Sequence, residues 1–416
     1  MSKSDPAVSK PKLTAAQQIE AMARNGIRFD LFPKERAEVF LCRRNYFFKL
    51  KAFCKNFNKW RMPDGSDGGY MDLDFAYLVE LSKLDMHLRA LVLRVSLDIE
   101  HFLKVRINEA VMSDPRCDGY RVVADFLRFD EERKTVALEN RLSMQVANQA
   151  AERMMRFAER ISAEARKAHG EEPASEAVVK AFDEARSLID GATGGTDLHH
   201  IEHSIAYLGT STYSRKVAMK YGDADRMAVW NLLELASFGD VIAFYKYYFI
   251  EYAEHRDPTA KSIKSLLFPA KTLRNAAAHN NCLLNGLRDR LSSPVGAIAK
   301  TLREEYGYDA EKVAGTRRVP LIHDLSALLI CYDRVVEGPG IRRERAREMR
   351  MLKKRLLMHK DYFEKQFEVV AALDFIAALL EGFAASLECP LSTEQGLPTC
   401  LGDDSVPRQA ACVTLP

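Results

Sequence analysis

Arg274, Asn275 and His279 lie in the stretch LFPAKTLRNAAAHNNCLLN, residues 267–285. Together they are residue types that suit phosphodiester cleavage. An imidazole titrates near pH ~6.5 when unperturbed, so it can take or give a proton near neutrality. A guanidinium stays charged and holds phosphate oxygens in a fork. An amide can orient either the histidine or the phosphate. RNA brings its own nucleophile, the 2′-hydroxyl, so no metal is required, and no clustered carboxylate site accompanies the motif. On a helix, Asn275 and His279 share one face. Arg274 and His279 stand about 140° apart around the axis, a gap a long guanidinium stem can wrap. Ala276, Ala277 and Ala278 between them leave room for another helix or an RNA backbone to approach. The spacing alone is weak evidence. Arg318 and His323 repeat it across Pro320, and Arg94 and His101 are only slightly further apart.

The elements that must carry these residues read as helices. Residues 73–112 have no Pro or Gly and are rich in strong helix formers. Unbroken, that helix would span about 60 Å, the spine of a bundle. A helix is predicted from about Ser265 to Leu287, with Pro269 tolerated only near its first turn. WNLLELASFGDVIAFYKYYFIEY, residues 230–252, reads as two helices joined at Ser237–Gly239, with Gly239 as the turn and Asp240 as the N-cap. Another helix starts at Pro320, and a last long one covers Ile341 to about Leu387. From Pro33 to Trp60 aromatic and aliphatic residues recur at helical spacing, and PDGSDGG, residues 63–69, ends that segment as a turn. No strand pattern or internal repeat stands out. The fold class is all-α: a helical bundle with an inserted arm and a long C-terminal helix. The expected divisions are a disordered lead at 1–15, an N-terminal helical part at 16–119, and a charged inserted helical arm at 120–204. The motif region at 205–310, a C-terminal helical region at 311–389 and a disordered tail at 390–416 follow.

Composition excludes little. The chain is 47% hydrophobic and 29% charged with a net charge of +3, so any nucleic-acid footprint must come from local clustering. Two clusters qualify. Residues 341–360, IRRERAREMRMLKKRLLMHK, offer Arg342, Arg343, Arg347, Lys353 and Lys354 as RNA contacts, although a solvated helix face balanced by Glu344 and Glu348 explains them as well. Arg43, Arg44, Lys49 and Lys51 lie among aromatic residues and could serve the same purpose. The eight cysteines show no Cys-x-x-Cys and no zinc-ligand spacing, which fits free thiols in a reducing cytoplasm. No glycine-rich phosphate loop occurs, and PDGSDGG lacks the ligand pattern of a calcium loop, so neither metal nor cofactor is expected. The polar start MSKSDPAVSKPKLTAAQQ has no apolar signal core, and no membrane span is expected.

LRNAAAHNNCLLN, residues 273–285, resembles the signature of HEPN-domain ribonucleases, and more narrowly the Abi family of abortive-infection proteins of the AbiD/AbiF type. Leu273, Arg274, Asn275, Ala278, His279, Asn280 and Asn285 carry the match. WNLLELASFGD, residues 230–240, resembles the family's Trp…Glu…Ser-Phe-Gly segment. Residues 84–107 resemble its long helix, with Asp85, Leu88, Arg89, Ile99, Glu100 and Lys104 in the matching places. The resemblance covers about 35–115 and 205–290; the 120–200 arm and the C-terminal region fall outside it. It implies an all-α HEPN-like bundle, metal-independent RNA cleavage in antiphage defence, and a composite site. This chain has one such motif, so the site would need a second protomer in a homodimer. By the same resemblance Arg274, Asn275 and His279 are catalytic and Asn280 touches RNA. Restraint by an inhibitory RNA or protein, or by a conformational lock, is expected of such an enzyme. The alternative is a HEPN scaffold that binds RNA or a partner without cutting.

Overall fold

A computed structural model of the chain describes residues 12–133, 214–221, 226–251 and 257–388. Most of the arm expected at 120–204, the beginning of the lead and the tail from 390 lie outside the described residues. Within them the protein is mostly helical. α1 (Ala15–Arg24) starts at a reciprocal capping box. The Gln17 N–H donates to Thr14 Oγ1, and the Thr14 N–H donates to Gln17 Oε1. The end of the expected lead is therefore a helix cap.

α2 (Lys34–Arg43) and α3 (Phe47–Phe53) divide the Pro33–Trp60 stretch. The stretch then ends in strand, against expectation. β1 (Lys59–Arg61) pairs antiparallel with β2 (Asp67–Tyr70), Lys59 opposite Tyr70 and Arg61 opposite Asp67. These strands are too short to show a period of two, and glycines occupy half of β2. The glycine that matters most is Gly26 at the end of α1: its φ is +84°, and a Cβ there would meet the Tyr70 nitrogen at 2.8 Å. α1 and the hairpin thus press backbone to backbone, joined by the Tyr70 N–H donating to the Asn25 carbonyl at 2.8 Å.

α4 (Phe75–Ser113) is the expected spine, 39 residues long. Asp74 caps it, accepting from the Ala76 N–H at 2.8 Å. Leu78, Leu81, Leu84, Leu88, Val92, Val95, Ile99, Leu103 and Ile107 recur at three- or four-residue steps and are all buried. Pro115 disfavours helical backbone at Asp114, which is extended and ends the spine. Residues 121–133 form α5. α6 (Arg215–Tyr221), α7 (Val229–Leu235) and α8 (Phe238–Lys246) follow, then α9 (Pro258–Ile263) and α10 (Leu267–Ala278). After α11 (Gly296–Glu304) and α12 (Ala310–Thr316), α13 (Pro320–Val335) starts at the expected proline.

The single helix expected from Ile341 to Leu387 is two: α14 (Pro339–Leu357) and α15 (Phe367–Glu388), packed against each other as a hairpin. Phe363 in the break is fully buried beside the Phe57 and Tyr77 rings, so burial of one aromatic outweighs helix continuity there. α15 is long and apolar enough to cross a membrane by length and composition alone, although Glu368, Asp374, Glu381 and Glu388 interrupt it. In this structure Leu373, Ile376, Leu380 and Phe383 are buried, and the helix packs on α13 and α14. α4 runs through the middle, with α3, α7, α8, α10, α13 and α14 packed on it. Ion pairs fasten α14 to the spine: Arg345 with Asp98 at 2.7 Å, Arg355 with Glu80, and Glu348 with Arg94.

Candidate active site

α10 lies between α4 and α13 because Ala270, Leu273 and Ala277 form its buried stripe. That stripe turns Arg274 and Asn275 to its flank, where both are half-buried. Arg274 Nη1 donates to Asn275 Oδ1 at 3.1 Å, and the guanidinium carbon stands 5.6 Å from the centre of the Phe238 ring. A cation over an aromatic face is held by the ring's negative quadrupole. Phe238 is itself fixed as the first residue of α8. Ser237 caps that helix, and Asp240 Oδ2 accepts from the Ser237 N–H at 3.1 Å and from its hydroxyl at 2.7 Å. The cap is therefore Ser237, with Asp240 closing a capping box from the third helical position. Gly239 lies inside the helix and makes no turn. Trp230 serves a different place: its ring covers the turn after α4, where Gly119 has φ +74° and a Cβ would meet the ring at 2.9 Å.

α10 stops nine residues short of the expected Leu287. His279 is its C-cap, and its N–H donates to the Asn275 carbonyl at 2.9 Å, the last bond of the helix. Asn280 follows at φ +57°; its N–H donates to Ala277 O at 3.1 Å, and the Asn281 N–H donates to Ala276 O at 2.9 Å. This is a Schellman ending with asparagine in the left-handed position. The His279 side chain is exposed, and no hydrogen bond to its ring occurs among the described residues.

Beyond the cap, buried polar groups hold the chain. Lys49, 6% exposed, donates from Nζ to the Asn280 carbonyl at 3.0 Å and to Asn280 Oδ1 at 2.8 Å. Asp85 on α4 is fully buried; its Oδ1 accepts from the N–H groups of Leu283 at 2.6 Å and Leu284 at 2.9 Å. Its other oxygen pairs with Arg89, which also donates to the Asn281 carbonyl at 3.3 Å. Asn56 donates to Leu284 O at 2.6 Å and accepts from the Leu287 N–H at 3.1 Å. Four side chains from α3, the turn after it and α4 thus bind six backbone groups between Asn280 and Leu287. They compete with the helix for this backbone and win, so the helical spacing breaks after Ala278.

Electrostatics follow the burial. Desolvation, with Arg89 beside it, pushes the Lys49 ammonium below its ordinary value. Desolvation pushes the Asp85 carboxyl up, against the two backbone N–H groups and Arg89. Burial raises the Cys282 thiol to about 11, with Asp85 adding to it.

The other predicted contact residues are dispersed. Asn280 directs both its oxygens at Lys49. Arg342 is 3% exposed and donates to Asp333 Oδ1 at 2.6 Å and to the carbonyls of Asp333 and Val336. It is committed inside the protein, so it is no surface contact. Lys353 pairs with Glu381 at 3.0 Å and Arg347 with Glu344 at 3.5 Å. Arg343 and Lys354 are exposed and have no carboxylate partner among the described residues. Lys49, read as a surface cation, is instead a buried clamp. Asn56 carried no sequence signal at all. Among the described residues no three His, Cys, Asp or Glu side chains converge as a metal site.

A family model described as Abi-like protein matches residues 40–285. The match takes in Lys49, Asn56, Asp85, Arg89 and the whole 273–285 stretch. It also runs through 120–200, which the resemblance had set aside. α11 to α15 lie beyond it. No curated protein and no solved structure matches the chain.

Proposed function

The chain belongs to the Abi-like protein family, and from that premise we propose that it acts in abortive-infection defence against phage as a metal-independent endoribonuclease of the HEPN, AbiD/AbiF type. The observation that carries this reading is the end of α10. Exposed His279 caps the helix whose last turns carry a half-buried guanidinium held over an aromatic ring, and the backbone after it is clamped. His279 removes the proton from a ribose 2′-hydroxyl. The 2′-oxygen attacks the adjacent phosphorus, and the bond to the 5′-oxygen breaks as that oxygen gains a proton. The products are a 2′,3′-cyclic phosphate and a 5′-hydroxyl. A second protomer's copy of the motif supplies the second proton-transfer group, so the working unit is a homodimer. Arg274 stabilises charge on the phosphoryl oxygens, and Asn275 orients the guanidinium and the phosphate. Arg343, Arg347 and Lys354, all exposed on α14, contact RNA backbone.

The test is cleavage of RNA by the purified full chain in chelator, with the ends analysed. Cyclic phosphate ends, lost in His279→Ala, are expected. An inactive wild type, or a fully active His279→Ala, refutes the reading. One observation favours a second reading, a binding scaffold without chemistry: among the described residues nothing fixes the tautomer of the His279 ring. Retained RNA binding without cleavage is its signature.

A further inference from the structure

The two basic clusters of the sequence fare differently in the structure. On α14 most cations are spent on carboxylates: Arg342 on Asp333, Arg345 on Asp98 and Glu348, Arg350 on Glu381 and Glu388, and Arg355 on Glu80. At the corner where α2 turns into α3 the opposite holds. Arg43, Arg44, Lys51 and Lys55 are exposed, and no carboxylate pairs with any of them among the described residues. Two aromatic side chains stand in the same corner, Tyr46 at 56% exposure and Phe48 at 77%. α3 is two-faced. Lys49, Leu50 and Phe53 point inward, while Phe48 and Lys51 lie three residues apart on the outer side, with Lys55 one turn on.

The corner also touches the candidate active site. Lys49 follows Phe48 directly and reaches Asn280, which follows His279 directly. Exposed rings beside cations that have no carboxylate partner among the described residues make a stacking platform with phosphate contacts, the chemistry that holds single-stranded nucleic acid. A duplex has no unstacked base faces to offer the rings. A two-fold contact with another copy would set these cations against their own counterparts, which disfavours a self-interface.

We propose that the α2–α3 corner binds single-stranded RNA and leads it to His279. Tyr46 and Phe48 stack on bases, and Arg43, Arg44, Lys51 and Lys55 hold the phosphates. This rests on the ribonuclease reading for its substrate, but it is tested apart from cleavage. The full chain carrying His279→Ala is titrated with a fluorescent single-stranded oligoribonucleotide bearing 2′-O-methyl groups throughout, across a range of salt. Phe48→Ala should weaken binding on the order of tenfold, and Phe48→Tyr should not. Arg43→Gln with Arg44→Gln should flatten the logarithmic salt slope by about 1.4, from two lost single-strand phosphate contacts. The matching duplex should bind more weakly than the single strand. Unchanged affinity in both corner variants overturns the proposal, as does equal affinity for duplex and single strand. A change in sedimentation without a change in RNA affinity assigns the corner to self-association and overturns it too. In the unmutated background the two proposals separate. Corner variants that lose oligonucleotide binding while the wild type cuts nothing reject cleavage alone. A cutting wild type whose KM is untouched by the corner variants rejects the corner alone.

Discussion

Replacing Asp85 tests whether the backbone after His279 is held in the way its hydrogen bonds describe. Asp85 Oδ1 accepts from two buried N–H groups, those of Leu283 and Leu284, while Oδ2 faces Arg89. Asp85→Ala removes both acceptors. A buried donor left unmade costs about 1–3 kcal/mol, so two give roughly 2–6 kcal/mol, with loss of the Arg89 pair added. Asp85→Asn keeps one oxygen for the two N–H groups but turns an amide NH2 toward Arg89. Its cost should be only that of the charged hydrogen bond, about 1.5–3 kcal/mol. Against a total stability on the order of 5–15 kcal/mol, the alanine variant should be visibly marginal. Urea denaturation followed by far-ultraviolet circular dichroism gives both values from the midpoint shift. The order wild type, asparagine, alanine is expected. An alanine variant within about 1 kcal/mol of wild type, or an asparagine variant as damaged as alanine, would show that the two N–H bonds do not hold this segment.

Lys49 has a pKa depressed below 10.5, so between its folded value and 10.5 the unfolded chain binds more protons and stability owed to Lys49 rises with pH. The stability gap between wild type and Lys49→Met should therefore move in favour of wild type from neutrality toward pH ~10; a constant gap refutes the burial argument. Phe238→Leu keeps most of the core volume but removes the ring under Arg274. It should cost less than about 1.5 kcal/mol in unfolding yet lower kcat/KM on the order of tenfold, and unchanged cleavage would remove Phe238 from the site. Arg342→Ala should destabilise by about 3–5 kcal/mol, whereas Arg343→Ala on the same helix should stay within about 0.5 kcal/mol. Equal midpoints for these two would contradict the burial of Arg342.

The long spine was legible because nothing in it conflicts: no proline, no glycine, and a buried stripe that persists from Leu78 to Ile107. The start of α13 was legible from Pro320, whose fixed φ suits a first helical position. The end of α10 was not. Asn280 and Asn281 are weak helix formers that only hint at a stop, and what fixes the path after them is Lys49, Asn56, Asp85 and Arg89, as many as 231 residues away in sequence. The same limit applies to Arg342. One arginine among eight basic residues looks like its neighbours until Asp333 and a helix end are found beneath it. Arg274, Asn275 and His279 stood out by residue type and flank, and they lie inside the family match. Their positions, two within a helix and one at its end, follow from contacts that no local pattern records.

That split has a mechanical meaning. Arg274 is carried by a helix wedged between two others, while the direction of the His279 ring is set where that helix hands over to a tethered strap. Tension on the strap, from a bound strand or a second copy pulling at 280–287, would swing the imidazole and leave the guanidinium where it is. A site built this way can be tuned from one side only, and its adjusting screw lies after the histidine.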